Sequence, residues 1–439
     1  MSGIAITDHE CLSAHMEVNQ YAKKLRETNP EFTIALGNEI YLTDDRASGQ
    51  KYYHFILIAK DAIGHRALRE LSSIAWQNSY VDRKMERVPT LKTELEEIVN
   101  KYPGHLIATT ACLGGELSTN ALAMQLAEDV GDTANATTYY NNIINFMSFC
   151  MKLFGEDFYI ECAPATAEEQ LIVNRKLLKI ARAMNIKMVV GTDSHYLTKE
   201  DRQIHKAYLN SKGGEREVDS FYEYSRLMDY NEAKQLLILS FDNADIAEWV
   251  LANTKEIQKK IEWYSLERKQ IIPKVEVPNY KIEDLDPYID AVSWGFLGKQ
   301  WPVLYDLYWE GNSQERYWLY ECAKSLCDKG FANKTDYWDR LEIEADIIKF
   351  IGEKLDDCLF AYFNTFKHYI DLFWECGSIV GPGRGSATGF LSNYLLGITQ
   401  LDPIRWNLPY WRFLNKERAE LPSLLLILGS CKKRTLTIA

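Results

Sequence analysis

The sequence predicts an α/β protein with a barrel-like first region and a mostly helical second region. Over the first 210 residues, short apolar runs alternate with amphipathic stretches, as where a helical period over 171–184 leads into a strand at 188–190. From about residue 213 the pattern changes, and residues 231–376 are mostly helical by pattern and rich in Trp and Tyr. Together these observations favour a parallel α/β fold of barrel type followed by helices.

The elements of the first region follow one another in a regular order. Strand-like runs are predicted at 4–6, 33–36, 55–58, 106–108, 158–160 and 188–190, and helices near 17–25, 67–76, after 108 and at 171–184. Since helical stretches separate most of the strands, we expect neighbouring strands to run parallel.

Composition places the chain among ordinary globular proteins. Of its 439 residues 46% are hydrophobic and 26% charged, and no apolar run approaches the 18 residues of a membrane span. Its nine cysteines are odd in number and include no Cys-x-x-Cys pair, which indicates free thiols in a reducing cytoplasm. The N-terminus has no signal-type pattern, and no membrane association is expected.

The charge distribution limits binding to nucleic acid to a local surface. The net charge of −12 argues against general electrostatic attraction to DNA. The last 35 residues nevertheless form a basic patch, because two glutamates oppose seven basic residues: Arg405, Arg412, Lys416, Arg418, Lys432, Lys433 and Arg434.

The most informative motif is the run Gly-Pro-Gly-Arg-Gly-Ser-Ala-Thr-Gly at residues 381–389. Gly383 and Gly385 allow the backbone to approach a bulky anion, and Arg384 offers a planar set of donors. A helix beginning near Ser386 would direct its free N–H groups at that anion. The pattern predicts a phosphate-binding loop.

Two familiar nucleotide motifs do not fit this loop, and one simpler interpretation stays open. A Walker loop needs Gly-Lys-Ser/Thr, but no lysine lies between Lys367 and Lys416. A dinucleotide fingerprint needs an acidic residue at the end of a strand, whereas Asp402 follows no strand and precedes Pro403. The alternative is a glycine-rich turn that only starts a helix.

Metal-binding side chains follow several of the predicted strands. His9 comes after the first strand, Glu39 after the second, Cys112 after the run at 106–108, and Asp193 with His195 after 188–190. In a barrel these ends share one rim, so the residues form a candidate zinc or manganese site. Each residue taken alone is more often structural, which is the competing interpretation.

The second half of the chain resembles the palm of the C family of bacterial replicative DNA polymerases, the polymerase III alpha subunit. The resemblance rests on residues 381–389, 394–399, 401–403 and 412–418, and departs from the usual pattern at Trp411 and Lys416. It implies that Gly383, Arg384, Gly385 and Ser386 contact the triphosphate of the incoming nucleotide.

The first half resembles the polymerase and histidinol phosphatase (PHP) domain that precedes the palm in the same family. The matching motifs are Thr7-Asp8-His9, residues 36–39, Tyr53-His54, residues 110–115 and residues 193–197. Carried over position by position, the resemblance implies six metal ligands: His9, Glu39, His54, Cys112, Asp193 and His195. His54 lies at the start of its strand, so only the resemblance supports it.

The resemblance also implies an organisation and a function. We expect a PHP domain that lacks its first strand at 1–212, a helical connecting region at 213–340, a partial palm at 341–422 and an out-of-frame tail at 423–439. The intact parent would extend a primer on template DNA with deoxynucleoside triphosphates, using Mg²⁺, with Zn²⁺ or Mn²⁺ in the PHP site. A sliding clamp and an exonuclease subunit are the further partners implied, and the cytoplasm the location.

Two departures from the family lead to expectations about activity. The His-x-His motif of the family is absent before His9, so we expect at most one weakly held metal ion. The Asp-x-Asp pair that should follow Pro422 is replaced by Ser423 and an apolar run, so we expect no primer extension by this chain alone and a frameshift as the cause. The alternatives are a PHP-type metal phosphoesterase and a non-catalytic structural or docking module.

Overall fold

The protein is described here by a computed structural model that covers residues 2–46, 51–82, 85–211, 222–269, 271–281, 284, 288 and 298–418. It divides into two compact units between Arg268 and Lys269. The predicted link at 213–217, the motif at 420–422 and the predicted tail at 423–439 lie outside the described residues. The domain boundaries inferred from the resemblance, at residues 212, 340 and 422, stay predictions.

The first unit is built on one mixed sheet of seven strands, which confirms the predicted α/β class. Its strands follow the order β1-β2-β3-β7-β8-β9, with β6 pairing on β2, and β4 and β5 form a separate hairpin. The strands are β1 Gly3–Ile6, β2 Thr33–Thr43, β3 Tyr53–Ala59, β4 Tyr80–Asp82, β5 Met85–Arg87, β6 Pro89–Leu91, β7 Leu106–Thr109, β8 Phe158–Cys162 and β9 Met188–Val190.

The direction of β3 differs from the parallel arrangement that we expected. It runs antiparallel to both β2 and β7, whereas β1 with β2, β7 with β8, and β8 with β9 are parallel pairs. Only nine residues, 44–52, join β2 to β3, and a parallel crossover needs a dozen or more. The chain therefore reverses direction at this point, and the start of β3 lies beside the end of β2.

The first unit contains nine longer helices, most of which pack against this sheet. They are α1 His15–Thr28, α2 Ala62–Gln77, α3 Lys92–Lys101, α4 Glu116–Asp129, α5 Thr133–Phe154, α6 Glu168–Met184, α7 Arg202–Ser211, α8 Tyr230–Phe241 and α9 Ala244–Lys260, counted over the described residues. The predicted helix at 171–184 is α6, which buries Val173, Leu177 and Ala181 on one face as its period requires. All five residues of β8 are buried, as in a strand covered on both faces.

The second unit is helical where the structure describes it. Its α-helices are α10 Pro302–Trp309, α11 Ser313–Asp328, α12 Thr335–Leu355, α13 Phe360–Glu375 and α14 Leu391–Leu395. Their apolar faces enclose a core that contains Trp318, Leu341, Phe360, Phe363 and Phe390. A short 3₁₀ helix at Gly385–Gly389 leads into α14, and another at Tyr410–Arg412 follows it.

Two expectations from composition can be compared with the coordinates. The eight cysteines among the described residues are all free, in agreement with the predicted thiols. No helix in the described part of the chain is both long and apolar enough to span a bilayer.

Candidate functional site: a metal cluster and a phosphate loop

Three predicted ligands lie together at one edge of the first sheet. His9 follows β1 and forms a parallel bridge with Glu39, while Glu39 and His54 lie on the paired strands β2 and β3. The Nδ1 atom of His54 is 2.7 Å from Glu39 Oε1, and that of His9 is 3.8 Å from Glu39 Oε2. One ligand atom of each residue lies within 4.8 Å of the others, so the three side chains could share one ion.

The reversed direction of β3 explains why His54 belongs to this cluster. In the pairing of β2 with β3, Tyr41 lies opposite His54, so the beginning of β3 reaches the edge at which β1 ends. From the sequence, a residue at the start of a parallel strand would have been placed at the far edge of the sheet. The antiparallel strand places it beside Glu39 instead.

The other three predicted ligands lie around this group. Cys112, after β7, has its Sγ atom 3.5 Å from His54 Nδ1. The ring of His195, after β9, lies 6.1 Å from that of His9, and its Nδ1 atom lies 2.9 Å from the carbonyl oxygen of Asp193. The structure thus brings all six predicted residues to one edge, with His9, Glu39 and His54 closest to one another.

The electrostatics of the cluster suit a cation. Burial, followed by the charge of Glu39, raises the pKa of Asp193. Burial also lowers the pKa of His9, against the opposing effect of Glu39, and raises the pKa of the Cys112 thiol well above its ordinary value. Glu39 Oε1 is buried and accepts no hydrogen bond from a described residue, although His54 Nδ1 is close. A shared cation would stabilise these carboxylates and lone pairs in their metal-binding forms.

One acidic residue near the cluster was missed in the sequence analysis. Glu161 lies near the end of β8, and burial raises its pKa to about 8, helped by the charges of Glu39 and Asp193. Its Oε2 atom accepts a hydrogen bond from Thr109 Oγ1 at 2.5 Å. A Cβ atom at Gly191 would lie 1.9 Å from Glu161 Oε1, so any larger residue there would displace this carboxyl. Its place near the end of an apolar strand was the available signal.

We call residues 381–389, for which the sequence predicts phosphate binding, the phosphate loop. Gly383 and Gly385 have φ angles of 102° and 69°, in the region that favours glycine. A Cβ atom at Gly383 would also lie 2.9 Å from Thr399 Cγ2. Arg384 is exposed between them, and no hydrogen bond or ion pair holds its guanidinium within the part of the chain that the structure describes.

The helix expected to begin near Ser386 is not an α-helix in the structure. Gly385–Gly389 is a 3₁₀ helix, and the α-helix begins only at Leu391. The buried carboxylate of Glu344 accepts hydrogen bonds from the N–H groups of Leu391 at 2.6 Å and Ser392 at 2.8 Å. Those donors are therefore occupied by the carboxyl group of Glu344, and the helix that begins near Ser386, as predicted, is the 3₁₀ helix and not α14.

Arg340 connects the loop to the segment that follows it. Its guanidinium donates to the carbonyl oxygen of Gly389 at 3.1 Å and to that of Leu408 at 3.3 Å, and lies 4.8 Å from the ring centre of Tyr410. The 3₁₀ helix Tyr410–Arg412 thus packs beside the loop and carries the exposed Arg412. The 3₁₀ helix that carries Arg412 therefore lies beside the 3₁₀ helix that follows Arg384.

Comparison with known proteins finds one family match in each unit. Residues 1–165 match the family model of the PHP domain, and residues 305–425 match that of the bacterial DNA polymerase III alpha NTPase domain. The chain is 38% identical to the probable DNA polymerase YorL of Bacillus subtilis strain 168 and to the DNA-directed DNA polymerase of Bacillus phage SPbeta, over 96% of its length and 33% of theirs. It is 28% identical to DNA polymerase III subunit alpha of Aquifex aeolicus, over 87% of this chain and 29% of that protein.

These findings define a class of protein in which a PHP domain precedes a bacterial DNA polymerase III alpha NTPase domain. The chain is similar over 87–96% of its length to DNA polymerases of the C family, as the resemblance predicted. It spans about a third of the length of the curated relatives that it matches.

Proposed function

We propose that this chain forms the part of a replicative DNA polymerase that holds the triphosphate of the incoming nucleotide and carries a metal-binding PHP module. The observation that supports this most directly is Arg384, an exposed guanidinium without a protein partner among the described residues, set between two glycines with positive φ. Such a group in water is free to bind phosphate oxygens in a bidentate manner. Gly383, Gly385 and Ser386 complete the proposed nucleotide site.

In the whole protein this loop acts together with metal ions. Mg²⁺ held by carboxylates would neutralise the charge that develops as a deoxynucleoside triphosphate adds to the primer. The loop would position the triphosphate, which is a task for backbone and arginine donors. We propose primer-template DNA, deoxynucleoside triphosphates, a sliding clamp and an exonuclease subunit as partners of that protein, and the cytoplasm as its location.

Replacing Arg384 with alanine tests the nucleotide site. Since hydrogen bonds to charged groups contribute about 1.5–3 kcal/mol, we expect Arg384→Ala to weaken binding of dATP with Mg²⁺ by about tenfold or more, measured by calorimetric titration. Arg182→Ala, which removes an exposed arginine of α6 in the other unit, is the matched control and should leave the affinity unchanged. Equal affinities of the two variants would contradict the proposal.

Lys367, the last lysine before the phosphate loop in the sequence, is a poorer control. Its Nζ atom lies 2.6 Å from Asp371 and 3.6 Å from Glu321. Removal of this lysine would leave two carboxylates without their cation, so Lys367→Ala would change the stability of the unit as well as its charge.

We propose further that His9, Glu39 and His54 hold one divalent ion, with Cys112, Asp193 and His195 as additional ligands. Imidazole, carboxylate and thiolate together suit Zn²⁺, and the same site without the thiolate suits Mn²⁺. A bound ion would supply Lewis-acid polarisation of a phosphate ester. The His9 side chain is 37% exposed, so a solvent-borne ester could reach the cluster.

A metal phosphoesterase is the second candidate function because of this exposure. Incubating the purified protein with bis(p-nitrophenyl) phosphate and Mn²⁺ would measure release of p-nitrophenol. Hydrolysis lost in His54→Ala but retained in His368→Ala, an exposed histidine of α13, would support a phosphoesterase. No hydrolysis by the metal-loaded protein would favour a structural or docking role for the PHP module.

A further inference from the structure

Two large apolar side chains are exposed on the turn that follows the phosphate loop. Trp406 is 60% exposed and Trp411 is 58% exposed, although tryptophan is usually mostly buried. We call residues 402–412 the tryptophan turn. Its indole rings contribute little to the core, so packing does not explain why they are tryptophan.

The tryptophan turn is held firmly below these rings. Asp402 is buried and accepts hydrogen bonds from the N–H groups of Ile404 at 2.9 Å and Arg405 at 3.1 Å, and from the hydroxyl of Tyr337 at 2.6 Å. The N–H of Leu408 donates to the carbonyl oxygen of Pro403 at 2.8 Å. The two indoles are therefore presented to solvent from a fixed backbone.

The tryptophan turn lies directly beside the phosphate loop. Arg340 donates to carbonyl oxygens of both segments, those of Gly389 and Leu408. The backbone contact is so close that a Cβ atom at Gly389 would lie 2.5 Å from the carbonyl oxygen of Pro409. The segment that carries the exposed indoles thus flanks a site that we propose for triphosphate.

The charge around the indoles is basic in an otherwise acidic chain. Residues 381–418 contain five basic and two acidic residues, which gives +3, against −12 for the whole chain. One of the two acids is the buried Asp402, so it does not face solvent. The guanidinium of Arg405 lies 5.3 Å from the ring centre of Trp406, and Arg412 follows Trp411. Positive charge interleaved with exposed aromatic rings complements a polyanion that carries planar bases.

We propose that Trp406 and Trp411 form a stacking surface for unpaired bases of single-stranded DNA, with Arg405 and Arg412 on its phosphates. This proposal rests on the proposed polymerase function and extends it, because it assigns a place for the template strand next to the phosphate loop. Single-stranded DNA fits better than duplex, since only unpaired bases expose their faces to an indole. Stacking also explains why tryptophan stands at position 411.

Fluorescence anisotropy of a labelled twelve-residue oligothymidylate, at low and moderate salt, would test this surface. Stacking contributes about 1–3 kcal/mol per base, which corresponds to about a 5- to 150-fold change in affinity. We expect Trp406→Leu and Trp411→Leu each to weaken binding by about tenfold, because leucine keeps an apolar side chain but cannot stack. Trp374→Leu, at a 48% exposed indole of α13, should have no effect.

The same variants would be titrated with dATP and examined by light scattering and circular dichroism. Unchanged dATP affinity with weakened oligonucleotide binding would support the stacking surface. An equal loss of dATP affinity would assign the indoles to the incoming base, and a wild-type dimer that dissociates in the variants would assign them to a second copy. Either result, or unchanged oligonucleotide binding, would overturn the proposal. Failure of dATP binding in the wild type would instead refute the nucleotide site while leaving oligonucleotide stacking measurable.

Discussion

Replacing Glu39 with glutamine is expected to lower the affinity of the first unit for Zn²⁺ by about 100-fold or more. Even the loss of a group that only supports a metal ligand lowers metal affinity by up to about 100-fold. Glu39 is buried, lies between His9 and His54, and provides the carboxylate closest to both imidazoles. Glutamine keeps the shape of the side chain but removes the charge that attracts the ion. Competition with a chromophoric chelator would measure the affinity.

The control for this substitution is His368→Ala, which removes an exposed histidine far along the chain and should leave the affinity unchanged. Elemental analysis after dialysis should find one ion per chain in the wild type, because the three closest ligand atoms form a single group. Two or three ions per chain would contradict this stoichiometry.

Cys112→Ser should shift the preference from Zn²⁺ towards Mn²⁺, since it replaces a soft donor by a hard one.

Much of the metal cluster could be predicted from the sequence because parallel strands end at a common edge. His9, Cys112, Asp193 and His195 each follow an apolar strand, and the structure places them around one edge. His54 could not be placed by this rule. Its strand is reversed because only nine residues join β2 to β3, whereas the runs predicted at 33–36 and 55–58 left a connection long enough for a parallel crossover.

The phosphate loop shows a different limit of sequence analysis. The sequence predicts that Gly383 and Gly385 let the backbone approach an anion, whereas their positive φ angles are known only from the structure. The start of α14 involves a residue 47 positions earlier. Glu344 binds the first N–H groups of α14, and no local pattern near Ser386 indicates that contact.

The exposed tryptophans illustrate the same dependence on tertiary structure. Composition alone favours placing Trp and Tyr in a core, and Trp318 is indeed fully buried. Trp406 and Trp411 are exposed because the backbone around them is fixed by Asp402 and Arg340. The sequence identifies the residue types, but only the contacts of their neighbours determine which rings face solvent.

The stability of the second unit is expected to depend on pH through Glu344. This carboxyl is fully buried on α12, and burial raises its pKa from 4.5 to about 7, against the effects of the two N–H donors and Arg340. A raised pKa means that the folded protein binds the proton more tightly than the unfolded chain. The stabilisation is therefore complete below about pH 4.5 and is lost as the pH rises through about 7.

Urea unfolding of the wild type and of Glu344→Gln at pH 5 and pH 8 would measure this dependence. Glutamine keeps an acceptor for the N–H groups of α14 but does not titrate, so the difference between the two proteins isolates this one carboxyl. A pKa shift of about 2.5 units corresponds to about 3 kcal/mol. Between pH 5 and pH 8 the free energy of unfolding of the wild type should therefore fall by about this amount relative to that of the variant.

The matched control is Glu353→Gln, an exposed glutamate on the same helix, which should follow the pH dependence of the wild type at both values. A wild type and a Glu344→Gln variant with parallel pH profiles would show that the pKa of this carboxyl does not change on folding.

Glu344→Leu separates charge from hydrogen bonding, because leucine leaves the N–H groups of Leu391 and Ser392 without acceptors. Each unpaired buried donor costs about 1–3 kcal/mol, so this variant should be destabilised at both pH values and should bind dATP more weakly. Because Glu344 fixes the start of α14 just after the phosphate loop, the loss of nucleotide binding should follow the loss of stability.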